Sequence, residues 1–164
     1  NVQGMEFTVQ MGMVIDPSDW IYGTAIAKDG SRFYLGCYSG KVYSINAEGA
    51  ADVVYVIPST EPVYEIMECG DYLHISTTSQ LYVIHTEQRQ FIKAIQLHGE
   101  ESRVSGYVKY HESGFIHVLG DDVTLYDGAG ERMGAVSFSK SLKSICVTDG
   151  KFVFETASKL YLFE

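Results

Sequence analysis

The chain has 164 residues, a formal net charge of −9 and a sequence pI near 4.9, and this acidic balance speaks against binding to nucleic acid or to an anionic membrane. Its residues are 46% hydrophobic and 20% charged, enough to bury a core, and no apolar run reaches the roughly 18 residues of a membrane span. With 16 Gly, 12 Tyr and 8 Phe but 3 Pro, the composition favours β-structure over a helix bundle.

Alternating apolar residues between polar turns predict short β-strands along the whole chain. The first lies at 5–14, where Met5, Phe7, Val9 and Met11 alternate with polar or small residues. Three units of four strands and one unit of three strands follow. Their predicted bounds are 21–27, 31–38, 41–46 and 51–57, then 63–68, 72–77, 81–86 and 90–97, then 104–110, 115–119, 122–127 and 131–138, and finally 142–147, 151–156 and 159–163.

Two sequence markers repeat along the chain with a period near 40 residues. Turn glycines recur at spacings of 40, 44 and 36 residues, at Gly30, Gly70, Gly114 and Gly150. A short apolar motif in the third strand of each unit recurs at spacings of 39, 42 and 37 residues, beginning at Val42, Leu81, Val123 and Leu160. A period of about 40 to 45 residues with four strands per unit is typical of a β-propeller blade.

The strand count predicts an all-β fold, a propeller of four antiparallel four-stranded blades in a single domain over 1–164. The blades lie at 21–57, 63–97, 104–138 and 142–163. The strand at 5–14 is expected to pair in the last blade, which lacks an outer strand, because closing the ring in this way removes an exposed sheet edge. An alternative is that the four blades are half of a larger propeller, completed by a second copy or by further residues.

The residues of the repeat also point to a known group of proteins. The stretch 25–46 reads AIAKDGSRFYLGCYSGKVYSIN, and Tyr126 and Asp127 end the third strand of the third unit. At these residues the sequence resembles the WD-repeat family, which carries a Trp-Asp dipeptide at the position of Tyr126-Asp127. The run GKVYSI at 40–45 is also similar to the repeats of quinoprotein-like propellers. The resemblance covers nearly the whole chain and implies the β-propeller fold, but not a function.

The cysteines limit the kinds of site and of compartment. Cys37, Cys69 and Cys146 are an odd number, widely spaced, and form no C-x-x-C pair. This spacing speaks against a disulfide-stapled secreted module and against a structural zinc site. We therefore expect three small buried residues in a reducing compartment and predict a cytoplasmic location.

The residues of the predicted loops indicate an interaction face. In a propeller, the loops before the first strand of each blade and between its second and third strands open on one side. Here they carry acidic and aromatic residues, with one arginine: Asp16, Asp19, Trp20, Tyr38, Glu61, Glu100, Glu101, Arg103, Asp121 and Asp122. A solvated acidic rim is favoured, and a Ca²⁺ site built from these carboxylates is the alternative.

Aromatic residues near the same loops have two interpretations. Trp20, the single tryptophan, is predicted to pack beneath its polar loop, and the alternative is an exposed interface anchor. Further tyrosines predicted around this face would make it adhesive: Tyr22, Tyr34, Tyr38 and Tyr107. Others recur at one repeat position and are predicted to pack between blades: Tyr43, Tyr82 and Tyr161.

Motifs that would indicate an enzyme are scarce. The sequence has no G-x-S-x-G, no G-x-x-x-x-G-K-[ST] and no H-E-x-x-H. His74 and His117 occupy similar places in the second strands of neighbouring units, in YLHIS and FIHVL. They are weak candidates for metal ligands, and packed histidines are the favoured interpretation.

These observations favour a non-enzymatic scaffold that presents its acidic, aromatic loop face to a protein partner with a basic or mixed surface. No nucleic acid, membrane or resident cofactor is expected, and the protein is predicted to be a monomer or a ring-completing homodimer. The alternative is a metal-dependent propeller that binds or processes a small molecule or carbohydrate at the mouth of its channel.

Overall fold

The structure is a computed structural model that describes residues 16, 18–98, 106–111, 114–140, 142–148 and 151–163. Within these residues, fifteen β-strands form four antiparallel sheets. The same residues contain no helix, and so none long and apolar enough to cross a membrane. The strand predicted at 5–14, and the ring closure that depends on it, lie outside the described residues.

Each sheet is formed from strands that follow one another in the chain. The first two sheets contain β1 (Ile21–Ile26), β2 (Arg32–Cys37), β3 (Lys41–Asn46) and β4 (Ala51–Val56), then β5 (Glu65–Cys69), β6 (Tyr72–Ser76), β7 (Gln80–His85) and β8 (Gln90–Gln96). The last two contain β9 (Tyr107–His111), β10 (Gly114–Leu119), β11 (Asp122–Asp127) and β12 (Arg132–Ser137), then β13 (Leu142–Thr148), β14 (Lys151–Thr156) and β15 (Leu160–Phe163). The predicted order, three four-stranded units followed by one three-stranded unit, is confirmed.

The described chain divides into two compact units. The first contains the chain up to Glu68 together with Ile75–Thr78, and the second contains Cys69–His74 and the chain from Ser79 onward. The prediction of one domain over 1–164 stays a prediction.

The first unit is built around the hairpin of β2 and β3. Leu35, Cys37, Tyr43 and Ile45 form a buried cluster on these two strands. The β2–β3 turn needs Gly40, because its φ is +81° and because a Cβ there would lie in tight contact, 3.1 Å from the carbonyl oxygen of Glu61. A glycine therefore lets the segment that precedes β5 pack closely against this turn.

The second unit has two buried clusters. One contains Leu81, Leu97 and Phe115, and the other contains seven residues of the last two sheets and their connection: Ile116, Val118, Val123, Phe138, Ile145, Phe152 and Phe154. The ring of Tyr161 packs edge-on against Phe138, with centroids 5.1 Å apart. This contact joins β15 to the segment that follows β12, in agreement with the predicted packing role of Tyr161.

The cysteines differ in exposure. None of the three forms a disulfide. Cys37 and Cys69 are buried, as predicted, whereas Cys146 on β13 is exposed. The predicted burial is wrong for Cys146 because β13 buries only its fourth residue, Ile145, and turns the neighbouring side chains toward solvent.

Candidate functional site

A group of exposed aromatic side chains lies at one end of the first sheet. Trp20, Tyr38, Tyr64 and Tyr22 have 69%, 57%, 47% and 44% of their surfaces exposed. We call these four residues the aromatic face. All four belong to the first unit. Trp20 and Tyr64 each immediately precede the first strand of a sheet, Tyr22 lies at the start of β1, and Tyr38 follows the last residue of β2.

Hydrogen bonds hold the two loops of the aromatic face together. The backbone N–H of Tyr38 donates to the carbonyl oxygen of Trp20 at 2.7 Å. The carboxylate of Asp19 accepts from both the backbone N–H of Ser39, at 2.9 Å, and the Ser39 hydroxyl, at 2.5 Å. Because Asp19 bonds to the facing turn through both of its oxygens, the loop that carries Trp20 is fixed against the loop that carries Tyr38.

Ring contacts make the three tyrosines continuous. The ring of Tyr22 lies 5.9 Å from that of Tyr38 and 5.6 Å, edge-on, from that of Tyr64. The backbone N–H of Tyr64 donates to the carbonyl oxygen of Ser76 at 2.9 Å, which fixes the start of β5. The three phenol rings thus form one patch with Tyr22 at its centre.

The aromatic face carries negative charge at its border. Asp16 is exposed, and its carboxylate accepts from the hydroxyl and the backbone N–H of Ser18 at 2.6 and 2.9 Å. These bonds, with a smaller contribution from the Lys41 ammonium, lower the pKa of Asp16 and keep it ionised. Glu61 lies beside the β2–β3 turn, as the close approach of its carbonyl oxygen to Gly40 shows.

The two predicted metal-ligand histidines are packed in the second unit. His74 is fully buried, its ring lies 4.9 Å edge-on from that of Phe115 and 5.5 Å from that of Tyr110, and its Nε2 lies 2.8 Å from the carbonyl oxygen of Gly128. His117 is buried with its Nε2 3.3 Å from the carbonyl oxygen of Leu97. In the part of the chain that the structure describes, no group of three or more His, Cys, Asp or Glu is placed to hold a metal ion.

The second unit also contains an open cleft on the third sheet. It has a volume of about 360 Å³, and polar side chains from three strands line it, among them His117, Asp122, Thr124 and Arg132. The Ser137 hydroxyl donates to Asp122 at 2.5 Å, so this carboxylate is already engaged within the sheet.

Comparison with known proteins yields structural matches alone. No protein-family model matches the chain, and no curated protein matches it. The computationally designed Ika4 protein is similar over 92% of this chain and 94% of its own, with 10% identity and a TM-score of 0.58. BamB from Moraxella catarrhalis is similar over 90% of this chain and 47% of its own, with 16% identity and a TM-score of 0.59.

The C-terminal WD40 domain of Sif2 is similar over 90% of this chain and 44% of its own, with 12% identity and a TM-score of 0.63. The fold is a WD-repeat-like β-propeller. The four sheets are its blades, as the repeat predicted. This propeller spans about half the length of BamB and of the Sif2 domain.

Five of the ten residues predicted for the interaction face lie together in the first unit of the propeller: Asp16, Asp19, Trp20, Tyr38 and Glu61. Asp121 in the β10–β11 turn and Asp122 at the start of β11 are exposed in the second unit. Glu100, Glu101 and Arg103 lie outside the described residues.

Two expectations for individual aromatic residues are wrong. Trp20 was expected to pack beneath its loop, but its backbone carbonyl is bound by Tyr38 and its ring is left exposed. Tyr34 was expected on the adhesive face, but it is buried, and its hydroxyl donates to Glu68 at 3.4 Å. Burial raises the pKa of Tyr34 to about 12, with the neighbouring Glu68 acting in the same direction.

Tyr64 was not predicted as a site residue, although a signal for it exists. It was assigned to a strand starting at 63, whereas β5 begins at Glu65. Tyr64 therefore occupies the same place before β5 that Trp20 occupies before β1. The position just before the first strand of a blade is the signal that identifies both.

Because two histidines are buried, we expect the free energy of unfolding to decrease in acid. Burial lowers the pKa of His74 below its ordinary 6.5, and the Gly128 carbonyl and Asp127 oppose this effect only in part. Burial also lowers the pKa of His117. The Leu97 carbonyl opposes that shift, whereas the neighbouring His98 adds to it. The folded state therefore binds fewer protons than the unfolded chain below pH 6.5. Stability is full above that pH and falls as the pH drops toward the folded pKa values.

Thermal melts between pH 7.5 and 5 test this expectation, and the melting temperature should decrease toward pH 5. His74→Phe removes one titrating group and keeps an aromatic ring, so its melting temperature should change less over the same range. His85→Gln on β7 is the control, since it retains both buried histidines. A His74→Phe curve parallel to that of the wild type would contradict the assignment.

Proposed function

We propose that this propeller is a non-enzymatic interaction scaffold and that the aromatic face is its docking surface for a protein partner. The observation that carries the proposal is a patch of three tyrosine rings, in contact through Tyr22 and left exposed together with Trp20 of the neighbouring loop. Contiguous exposed apolar surface on a folded domain marks an interaction site more often than scattered residues do. Trp and Tyr are also the side chains most enriched among residues that dominate binding energy.

The geometry of the loops supports a docking role. The bonds from Ser39 to Asp19 and from Tyr38 to Trp20 fix the aromatic residues before any partner arrives. A surface that is already ordered loses little conformational entropy on binding, and this raises affinity. Loops held on a rigid sheet are a common position for recognition residues.

The charge of the protein supports a partner with a basic or mixed surface. The chain carries a net charge of −9, and Asp16 and Asp19 border the aromatic face. Complementary charge accelerates association and disfavours acidic partners, so binding should weaken as salt is added.

Removing the indole of Trp20 tests the proposal. Affinity purification from an extract of the source organism identifies a candidate partner, and titration calorimetry with both purified proteins gives the affinity. Trp20→Ala is expected to weaken binding by about 30-fold, the effect of losing a residue that contributes about 2 kcal/mol. Met133→Ala removes a similarly exposed apolar side chain from β12 and is the matched control.

The control should bind like the wild type. If Trp20→Ala and Tyr38→Ala both bind the partner as tightly as Met133→Ala does, the docking surface lies elsewhere and the proposal is wrong. Circular dichroism of each variant establishes that the sheets are intact, which is expected because both side chains are exposed.

A further inference from the structure

We propose that the aromatic face recognises an arginine side chain on the partner, which stacks on the tyrosine rings beside the carboxylates of the two loops. This inference rests on the proposed function and names the chemistry of its ligand. It combines two observations at one place: a continuous patch of exposed rings and a local excess of negative charge. Each alone is common on protein surfaces, whereas their combination selects a cation with an extended flat surface.

The rings provide the stacking surface. Tyr22, Tyr38 and Tyr64 are in mutual contact through Tyr22, and each leaves about half of its surface exposed to a ligand. The face of an aromatic ring carries partial negative charge and attracts a cation placed within about 6 Å of its centre. Because the tyrosines are tilted or edge-on to one another, they offer faces in more than one direction.

The carboxylates provide the countercharge. Asp16, Asp19 and Glu61 lie in the loops of the aromatic face, and Lys41 is the cation that the described residues place near Asp16. The local balance is therefore negative in this part of the described chain. An apolar ligand would remove water from these carboxylates without adding a positive charge, which costs free energy, whereas a cationic ligand offsets that cost.

Arginine fits this arrangement better than lysine does. Its guanidinium is planar, weakly hydrated and able to stack on a ring while its N–H groups point outward in the plane toward carboxylates. The lysine ammonium is a compact and strongly hydrated charge that gains less from a ring face. The surface should therefore distinguish two side chains of equal charge.

The single tryptophan gives a direct readout, because Trp20 is exposed in the aromatic face and its fluorescence reports binding there. The full chain is titrated at low salt with a five-residue peptide, Gly-Gly-Arg-Gly-Gly, acetylated and amidated at its ends. Matched peptides replace the arginine with lysine, with the neutral isostere citrulline, or with glutamate. The arginine peptide is expected to bind more tightly than the lysine peptide. The citrulline and glutamate peptides are expected to bind at least tenfold more weakly than the arginine peptide.

Variants separate stacking from general attraction to an acidic protein. Tyr38→Leu preserves the charge but removes a ring, and it should weaken the arginine peptide roughly 3- to 30-fold, the range expected for one cation–π contact. Tyr38→Phe restores the ring and should restore binding, which also controls for folding. Phe91→Ala on β8 removes an exposed aromatic side chain from the second blade and should have no effect.

Equal affinity for the arginine, lysine and citrulline peptides would overturn the inference, as would binding that Tyr38→Leu leaves unchanged. If the arginine peptide does not bind but Trp20→Ala still weakens binding of the purified partner, the arginine assignment is wrong and the proposed docking surface is retained. If Trp20→Ala also leaves the affinity for the partner unchanged, both proposals are wrong.

Discussion

Deleting residues 1–14 is expected to lower the melting temperature by roughly 10 °C or more, or to make the protein aggregate. In the described residues the fourth blade has three strands, and β15 has β14 as its neighbour on one side, whereas β4, β8 and β12 complete the other blades. Leu160 and Leu162 on β15 are exposed. A strand at 5–14 would cover this edge, and its loss would leave backbone groups open to pairing with other chains.

The size of the effect follows from the apolar residues of the predicted strand. Phe7, Val9 and Met11 alternate in the sequence, and each large side chain that loses its cover gives up about 1.5 to 3 kcal/mol. Their sum is comparable to the roughly 5 to 15 kcal/mol that stabilises a typical domain. For a chain of this size, each kcal/mol changes the melting temperature by about 2 to 4 °C.

Differential scanning calorimetry and light scattering measure the outcome. A deletion of residues 1–4 is the matched control, because it shortens the chain but retains the whole predicted strand. If the longer deletion melts like the control and stays monodisperse, the closing-strand hypothesis is wrong. A dimer of the intact protein in light scattering would instead support completion of the ring by a second copy.

Phe115→Ala is expected to cost about 3 to 5 kcal/mol of stability, the range for a buried phenylalanine. Phe115 is 1% exposed, stacks on Tyr126 at 4.9 Å and contacts the His74 ring at the same distance. Its removal creates a cavity in the cluster with Leu81 and Leu97. The melting temperature should fall by roughly 6 to 20 °C at neutral pH.

The same substitution should also change the response to acid. Water that enters the cavity solvates the imidazolium form of His74, so the pKa of His74 should move back toward 6.5 and the loss of stability below that pH should become smaller. Phe115→Leu is the control, since it keeps most of the apolar volume and should cost less than half as much. A Phe115→Ala protein that melts within 2 °C of the Leu variant would contradict the packing role assigned to the ring.

Much of this fold follows from short-range sequence patterns. The strands of the first blade begin and end within one residue of their predicted bounds, because short polar or glycine-containing turns separate them in the sequence. Gly30 and Gly40 adopt positive φ, as turn glycines do. Closure is different, since it depends on pairing between distant parts of the chain that periodicity alone does not reveal.

The site was less accessible to prediction because exposure depends on what packs above a strand. Tyr34 and Tyr38 lie four residues apart, yet Tyr34 is buried in β2, where four consecutive residues are covered on both faces. Alternation fails in such strands because neither side meets solvent. Trp20 and Tyr64 lie just before strands, where the alternation of apolar residues does not indicate whether a side chain is exposed.

Because the three thiols are unequally buried, their rates of alkylation report local unfolding of the folded protein. Burial raises the pKa of Cys37 to about 11, with a smaller contribution from Asp19, so almost none of it is the reactive thiolate at neutral pH. Cys146 is exposed and should be alkylated at once, which provides an internal reference. Cys37 belongs to the first unit and Cys69 to the second. The order in which these two acquire label, followed by mass spectrometry over hours, therefore reports which unit opens first under native conditions.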